Sequence, residues 1–270
     1  MWIYGTERTG KGPYGERPLI QFDKVSFSYM PKSPLAVQAL DRISWSTGSS
    51  SSIALMGKTG SGKSTLAQLT NGVLMPSQGK VTVDGLDTRK RGTKKRIRQK
   101  VGVSFQFPEK QFFCDTIYEE ISVGMKTLDW PEDKQKEQIQ KIADLLELPI
   151  SWMKRSPYLI SGGEKRLVGL ASILIRDPCY LVLDEPIISL DSSSKRRVLA
   201  LLEMMVDTGK LLICITHDPA FACEFFGRWV VLQAGQIVYD GSSSDYPLFS
   251  SEAVKHGILP TRDQIWNNQT

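Results

Sequence analysis

The stretch Gly57-Lys58-Thr59-Gly60-Ser61-Gly62-Lys63-Ser64-Thr65 constrains this 270-residue chain more than any other. It fits G-x-x-x-x-G-K-[ST]. The apolar run Ile53, Ala54, Leu55, Met56 leads in as a buried strand, and Leu66, Ala67, Gln68, Leu69 lead out as a helix. Glycines at these places let the backbone curl until successive N–H groups point inward and cradle phosphate oxygens. The positive end of the following helix adds to the attraction. In such a loop Lys63 reaches the β- and γ-phosphates and Ser64 offers its hydroxyl to Mg²⁺. The pattern implies a nucleoside triphosphate ligand.

The rest of the chain supports a sizeable α/β core around that loop. Segments 19–29, 40–46, 79–84 and 101–106 read as strands, and the first alternates through Ile20, Phe22, Val25, Phe27 and Tyr29. Between 116 and 176 the periodicity turns helical, most clearly over 131–148. Strands then return at 179–184, 211–216, 229–232 and 236–239, with helices at 192–206 and 219–226 between them. This order implies a mainly parallel sheet, an antiparallel portion on the N-terminal side and a helical insertion.

Composition narrows the setting. The chain is 41% hydrophobic and 23% charged, as an ordinary globular protein is. A net charge of +5 is too mild to argue for nucleic acid. Cys114, Cys179, Cys214 and Cys223 show no C-x-x-C spacing, and Cys179 and Cys214 lie in apolar runs, as reduced core residues do. No stretch approaches the ~18 consecutive apolar residues of a membrane span. Residues 1–18 mix Gly, Pro and charge without an apolar centre, so they read as a loosely ordered extension rather than a secretory signal. A cytosolic protein is expected, and at a membrane something else must hold it. The basic run Arg89-Lys90-Arg91, Lys94-Lys95-Arg96, Arg98 and Lys100 reads as a solvated loop and amphipathic turn, since no aromatic residues interleave to stack bases.

Two further motifs point to chemistry. Cys179-Tyr180-Leu181-Val182-Leu183-Asp184-Glu185 is an apolar strand ending in two acids. Beside a phosphate loop, Asp184 would hold Mg²⁺ directly or through water, and Glu185 would orient or deprotonate the attacking water. Ser161-Gly162-Gly163 opens a second helix, whose bare N–H groups and serine hydroxyl form another anion site. Within one chain it is redundant. It makes sense when two subunits pair head to tail and each closes the other's nucleotide.

Together, in this order and approximate spacing, these motifs resemble the ATP-binding cassette (ABC) family over residues 19–242. The resemblance implies a P-loop NTPase fold with a RecA-like core, an antiparallel β portion and a small helical subdomain near 107–176, followed by an extension over 243–270. It places the Walker A loop at 57–65, Walker B at 180–185 and the signature at 160–164. Gln106 matches the Q-loop glutamine that meets Mg²⁺ and the γ-phosphate, Ser189-Leu190-Asp191 the D-loop, and His217 the switch histidine. Tyr29 matches the aromatic that stacks on adenine, and Lys63 and His217 would stabilise charge on the transferring phosphoryl group. The implied ligands are ATP and Mg²⁺. Glu164, Ile160 and Ile187-Ile188-Ser189 depart from the commoner pattern, and Gly169 sits where alanine is typical, yet none removes a catalytic group.

A narrower resemblance lies at Gln106-Phe107-Pro108-Glu109-Lys110-Gln111-Phe112-Phe113, which is similar to the ATPases of energy-coupling factor (ECF) transporters, including the cobalt and nickel branch. It implies import of a vitamin or metal ion by a complex at the cytoplasmic face of the cell membrane. The partners would be a second ABC ATPase subunit, the same or paralogous, a T-type transmembrane scaffold and a substrate-binding membrane subunit. Gln111 and the phenylalanines would shape the groove for the scaffold's coupling helix. The apolar Q-loop of another ABC importer fits the same residues. The rival from a different class, an ABC ATPase acting on nucleic acid or the ribosome, is favoured by the basic run alone, so no nucleic acid partner is expected.

Overall fold

A computed structural model describes residues 19–105, 112–126, 128, 130–248 and 250–258. The N-terminal extension, Gln106, Phe107 and Gln111 lie outside these residues. Strands β1 (Ile20–Tyr29), β2 (Val37–Ser46), β4 (Gln78–Val83) and β5 (Leu86–Asp87) form an antiparallel sheet in the order β2-β1-β4-β5. A second sheet holds β3 (Ser52–Met56), β6 (Val101–Ser104), β7 (Tyr180–Asp184), β8 (Leu211–Ile215), β9 (Arg228–Gln233) and β10 (Gln236–Ser242). Its order is β10-β9-β3-β8-β7-β6. All its pairs are parallel except β10 with β9.

The uninterrupted apolar runs of β3, β7 and β8 follow from burial on both faces, and strand alternation shares their side chains between two cores. Ile53, Leu55, Val182, Ile213 and Ile215 face a cluster completed by the antiparallel sheet and helix α1 (Lys63–Thr70). Ala54, Met56, Leu183, Leu212 and Cys214 face the other, built with α3 (Ile117–Ser122), α4 (Glu132–Leu145), α5 (Gly162–Leu174), α6 (Ser192–Asp207) and α7 (Pro219–Phe225). Described residues beyond 242 join that second core. Tyr246, Ala253 and Ile258 are buried in it, around the short helix α8 (Ser251–Lys255).

The basic run differs from expectation. Residues Arg91–Lys100 form a ten-residue helix, α2, rather than a loop and turn. Lys, Arg and Gln favour helix on their own, and one buried side chain, Ile97, suffices to anchor it. Two charges of the run are paired, Arg89 with Asp87 at 3.1 Å and Lys100, the last residue of α2, with Asp84 at 2.5 Å. Among the described residues no helix is long and apolar enough to cross a membrane.

Candidate active site

In open parallel sheets, ligands sit at the carboxyl ends of the strands. Here β3, β8 and β7 are neighbours, with Leu55 beside Ile215 and Ile215 beside Asp184, so the segments following them converge. The loop after β3 has room only for glycine at its two ends. Gly57 has φ 131°, and a Cβ there would collide with the Leu232 carbonyl oxygen. Gly62, with φ 108°, would place a Cβ 2.5 Å from the Ala39 oxygen. From Gly62 the chain enters α1, and Lys63 folds back over the loop. Its Nζ donates to the carbonyls of Gly57 (2.7 Å) and Lys58 (2.9 Å). Burial draws the Lys63 pKa below its ordinary value, opposed by the charges of Asp184 and Glu185. Thr59 and Gly60 stand at the exposed crest, and Ser61 is buried beneath with its amide on the Lys58 oxygen at 3.1 Å.

The acids at the end of β7 meet this loop. Ser64 Oγ donates to Asp184 Oδ2 at 2.6 Å. Burial raises the Asp184 pKa, with the Ser64 hydrogen bond and Lys63 opposing. These two hard oxygen donors beside the loop fit Mg²⁺, which keeps few protein ligands and completes its shell with phosphates and water. Among the described residues no group of three or more His, Cys, Asp or Glu offers a rival metal site. Glu185 lies deeper, 4% exposed, and its Oε1 has no hydrogen-bond partner among the described residues. Burial, then the Asp184 charge, pushes its pKa up to about 7. His217, carried just past β8, places Nε2 at 3.5 Å from that oxygen. Desolvation and Lys63 lower the His217 pKa, so the ring is neutral near pH 7. A buried carboxylate tuned toward neutrality is suited to accept a proton there.

The family model described as ABC transporter matches residues 40–188, which span the loop, the second helix N-terminus and the acids. The chain belongs to the ABC transporter family. Among its relatives, the energy-coupling factor transporter ATP-binding protein EcfA2 of Lactococcus lactis subsp. cremoris is 36% identical over 84% of this chain and 80% of its own length. The EcfA2 protein of Thermotoga maritima is 35% identical over 84% of each. In fold, the dimeric cassette MJ0796 in a post-hydrolysis state with ADP and Pi aligns at TM-score 0.75 and 22% identity, over 84% of this chain and all of that one. The cbiO1 structure from Clostridium perfringens, part of the transporter complex cbiONQ, aligns at 0.73 and 24% over 94% and 99%. As an ABC ATPase, this chain binds nucleotide, hydrolyses ATP and couples that energy to a transporter.

The remaining cassette positions fall as follows. Tyr29 ends β1, 40% exposed, with its hydroxyl 3.0 Å from Thr65 Oγ1 and its ring edge-on to Phe27. Ser161 caps α5 in a reciprocal box: its Oγ accepts from the Glu164 amide, and its own amide donates to Glu164 Oε2 at 2.7 Å. The Glu164 that replaces glutamine thus has a local role. Gly162 and Gly163 supply first-turn amides, which a helix leaves without internal acceptors. Asp191 caps α6. Its carboxylate accepts from the amides of Ser193 and Ser194 and from Ser194 Oγ, and these bonds hold its pKa down. The carboxylate thus caps α6 while staying at the exposed surface.

Sequence reasoning passed over two features. Arg166, 6% exposed on α5, donates through Nη1 to the carbonyl oxygens of Glu185 (3.0 Å) and Ile188 (2.6 Å). Its signal was available, because Arg166 shares a helical stripe with Leu170 and Leu174, where an apolar residue belongs. The other feature is Gly257, whose Cβ position lies 3.3 Å from Lys58 Cα, so the turn at Gly257 rests on the phosphate loop. Nothing local foretells that contact.

Proposed function

We propose that this chain is the ATPase subunit of an ECF-type complex at the cytoplasmic face of a membrane, where it powers import of a vitamin or metal ion. The observation that carries the reading is the convergence of Lys63, the Ser64–Asp184 pair and the Glu185–His217 pair at the ends of three adjacent strands. Similarity to EcfA2 proteins over most of the chain supports the transporter class.

In this reading Gly57 to Thr65 wrap the phosphates, Tyr29 stacks on adenine, and Lys63 leaves its loop carbonyls for the β- and γ-phosphates. Ser64 and Asp184 would hold Mg²⁺, with Gln106 expected to join them as the resemblance implies. The ion, when bound, neutralises charge on the phosphates during transfer. Glu185 takes the proton of the attacking water, and His217, neutral and adjacent, orients the phosphoryl oxygens. Ser161, Gly162 and Gly163 close on the nucleotide of a second ATPase subunit, with Asp191 holding the facing loop in shape.

The scaffold's coupling helix would dock on the helical portion. There Phe113 is 68% exposed and Leu159 83%, and Tyr158 joins them by donating from its hydroxyl to the Phe112 carbonyl at 2.5 Å. Phe112 itself is buried, so Phe113 is the contact and Phe112 its support.

The test is purification of the native complex with Glu185→Gln beside wild type. The variant should bind ATP and copurify with a polytopic scaffold and a substrate-binding membrane subunit. Its turnover should fall at least ~100-fold, the lower end of general-base loss. A chain recovered with ribosomes or nucleic acid would overturn the transporter reading, and near-normal hydrolysis would overturn the role of Glu185.

A further inference from the structure

Arg166 is buried where two functional elements meet. The carbonyls it holds, of Glu185 and Ile188, bracket the turn that leaves the catalytic strand. That turn is poorly held by itself. Its own bond, from the Ile188 amide to the Glu185 oxygen, is 3.4 Å long, and Glu185 (φ 51°) and Ser189 (φ 58°) both adopt left-handed backbone without being glycine. Each such conformation is unfavourable for a residue with a Cβ and persists only when its surroundings enforce it. A buried guanidinium bridging both carbonyls is such an enforcement, since charge-assisted hydrogen bonds are the strong ones. A second contact joins the same two elements. A Cβ on Gly163 would lie 3.2 Å from both Asp191 Oδ2 and Ser194 Oγ, so the first turn of α5 abuts the far end of the 185–191 segment.

We propose that Arg166 is a positioning residue that transmits closure of Ser161-Gly162-Gly163 on a neighbouring subunit's nucleotide to Glu185 in this chain's own site. The inference rests on the roles given above to Glu185 and to residues 161–163. Helix α5 is a rigid element, and Arg166 lies one turn beyond its capped N-terminus. A shift of that end as its amides close on phosphate moves the guanidinium, and with it the backbone that carries the Glu185 carboxylate. Misplacement of a reacting group by about 1 Å can slow chemistry ~100-fold. The link thereby makes firing of one site depend on engagement at the other.

The test uses the full-length chain with its partner subunit, measuring kcat and KM for Mg-ATP, ATP-driven dimerisation and melting temperature for Arg166→Met and Arg166→Lys. Arg166→Met should lower kcat roughly 30- to 100-fold while KM stays within about threefold and dimerisation persists, the split expected when only transition-state geometry is lost. Arg166→Lys, which keeps the charge and three donors on a different stem, should recover about tenfold of that loss. A folded Arg166→Met chain with kcat within about twofold of wild type, or one with raised KM and unchanged kcat, overturns the proposal. If Arg166→Met does not fold, Arg166→Lys decides: kcat about 3- to 10-fold down at unchanged KM supports the link, and wild-type kcat overturns it. Glu185→Gln runs in parallel. Rapid hydrolysis by that variant removes the underlying reading, whereas a dead Glu185→Gln with an unaffected Arg166→Met removes the Arg166 link alone.

Discussion

Replacing Glu185 with Gln should stabilise the nucleotide-free protein, and the gain should grow with pH. The carboxyl is 4% exposed and has one oxygen unpartnered among the described residues. Burial, with Asp184 second, raises its pKa from 4.5 to about 7. Below pH 4.5 the group is protonated folded and unfolded alike, so it has no effect on stability. As pH rises from there to 7 the unfolded chain gives up the proton more readily, and stability falls. Above 7 the loss is constant. At 1.36 kcal/mol per pKa unit, the shift amounts to about 3 kcal/mol. Gln has the same shape and never ionises, so it escapes that loss. For a chain of this size the difference corresponds to on the order of 5–10 °C in melting temperature. The assay is thermal unfolding of both proteins with EDTA and no nucleotide, from pH 5 to pH 8.5. The two melting curves should lie close at pH 5 and separate by pH 8. A Gln variant no more stable than wild type at pH 8, or a gap that ignores pH, would refute the desolvation argument. The carboxylate is thus retained against stability, as a proton acceptor has to be.

Other perturbations separate the parts of the site. Gly57→Ala should abolish ATP binding, because its Cβ collides with backbone at Leu232, whereas Gly60→Ala meets no atom within 4 Å and should lose only about 1 kcal/mol to its left-handed φ; isothermal titration distinguishes them. Ser161→Arg should leave ATP affinity of the monomer within about twofold while preventing ATP-driven dimerisation on a sizing column, and a sharp fall in monomer affinity would contradict the trans arrangement. Phe113→Glu should keep wild-type stability within about 0.5 kcal/mol and lose the membrane scaffold in copurification, while Phe112→Glu should destabilise the fold by several kcal/mol in denaturant melts. Asp191→Ala should cost about 1 kcal/mol of stability through loss of the α6 cap, measured by the same melts.

The parts of the site that chain-local chemistry dictates are legible in the sequence itself. A glycine loop between an apolar strand and a helix has few alternatives, and two acids ending a buried strand point to a cation. What stayed hidden depends on distant backbone. Whether Phe112 or Phe113 turns inward is settled by packing of the helical portion, which strand alternation cannot anticipate once the strand has ended. The basic helix escaped because a single buried residue, Ile97, leaves no apolar period to detect. Arg166 was visible only as a charge on an apolar stripe, and its targets lie on another element altogether. Asp191 has a local role that its motif alone does not reveal, since its carboxylate caps α6.

The backing of the phosphate loop comes from far along the chain: the Leu232 carbonyl behind Gly57, the Gly235 amide bonded to the Ser61 oxygen at 3.0 Å, and the turn at Gly257 against Lys58. During synthesis, therefore, the nine residues that cradle phosphate are made well before the segments that support them. Until β9 and its hairpin are made, β3 lacks one of its two neighbours, and ATP cannot act as a folding template for the emerging protein. Nascent chains arrested before Arg228 should fail to retain nucleotide, and those extended past Ile258 should hold it. Nucleotide binding then reports that the hairpin after Arg228 and the turn at Gly257 are in place behind the loop.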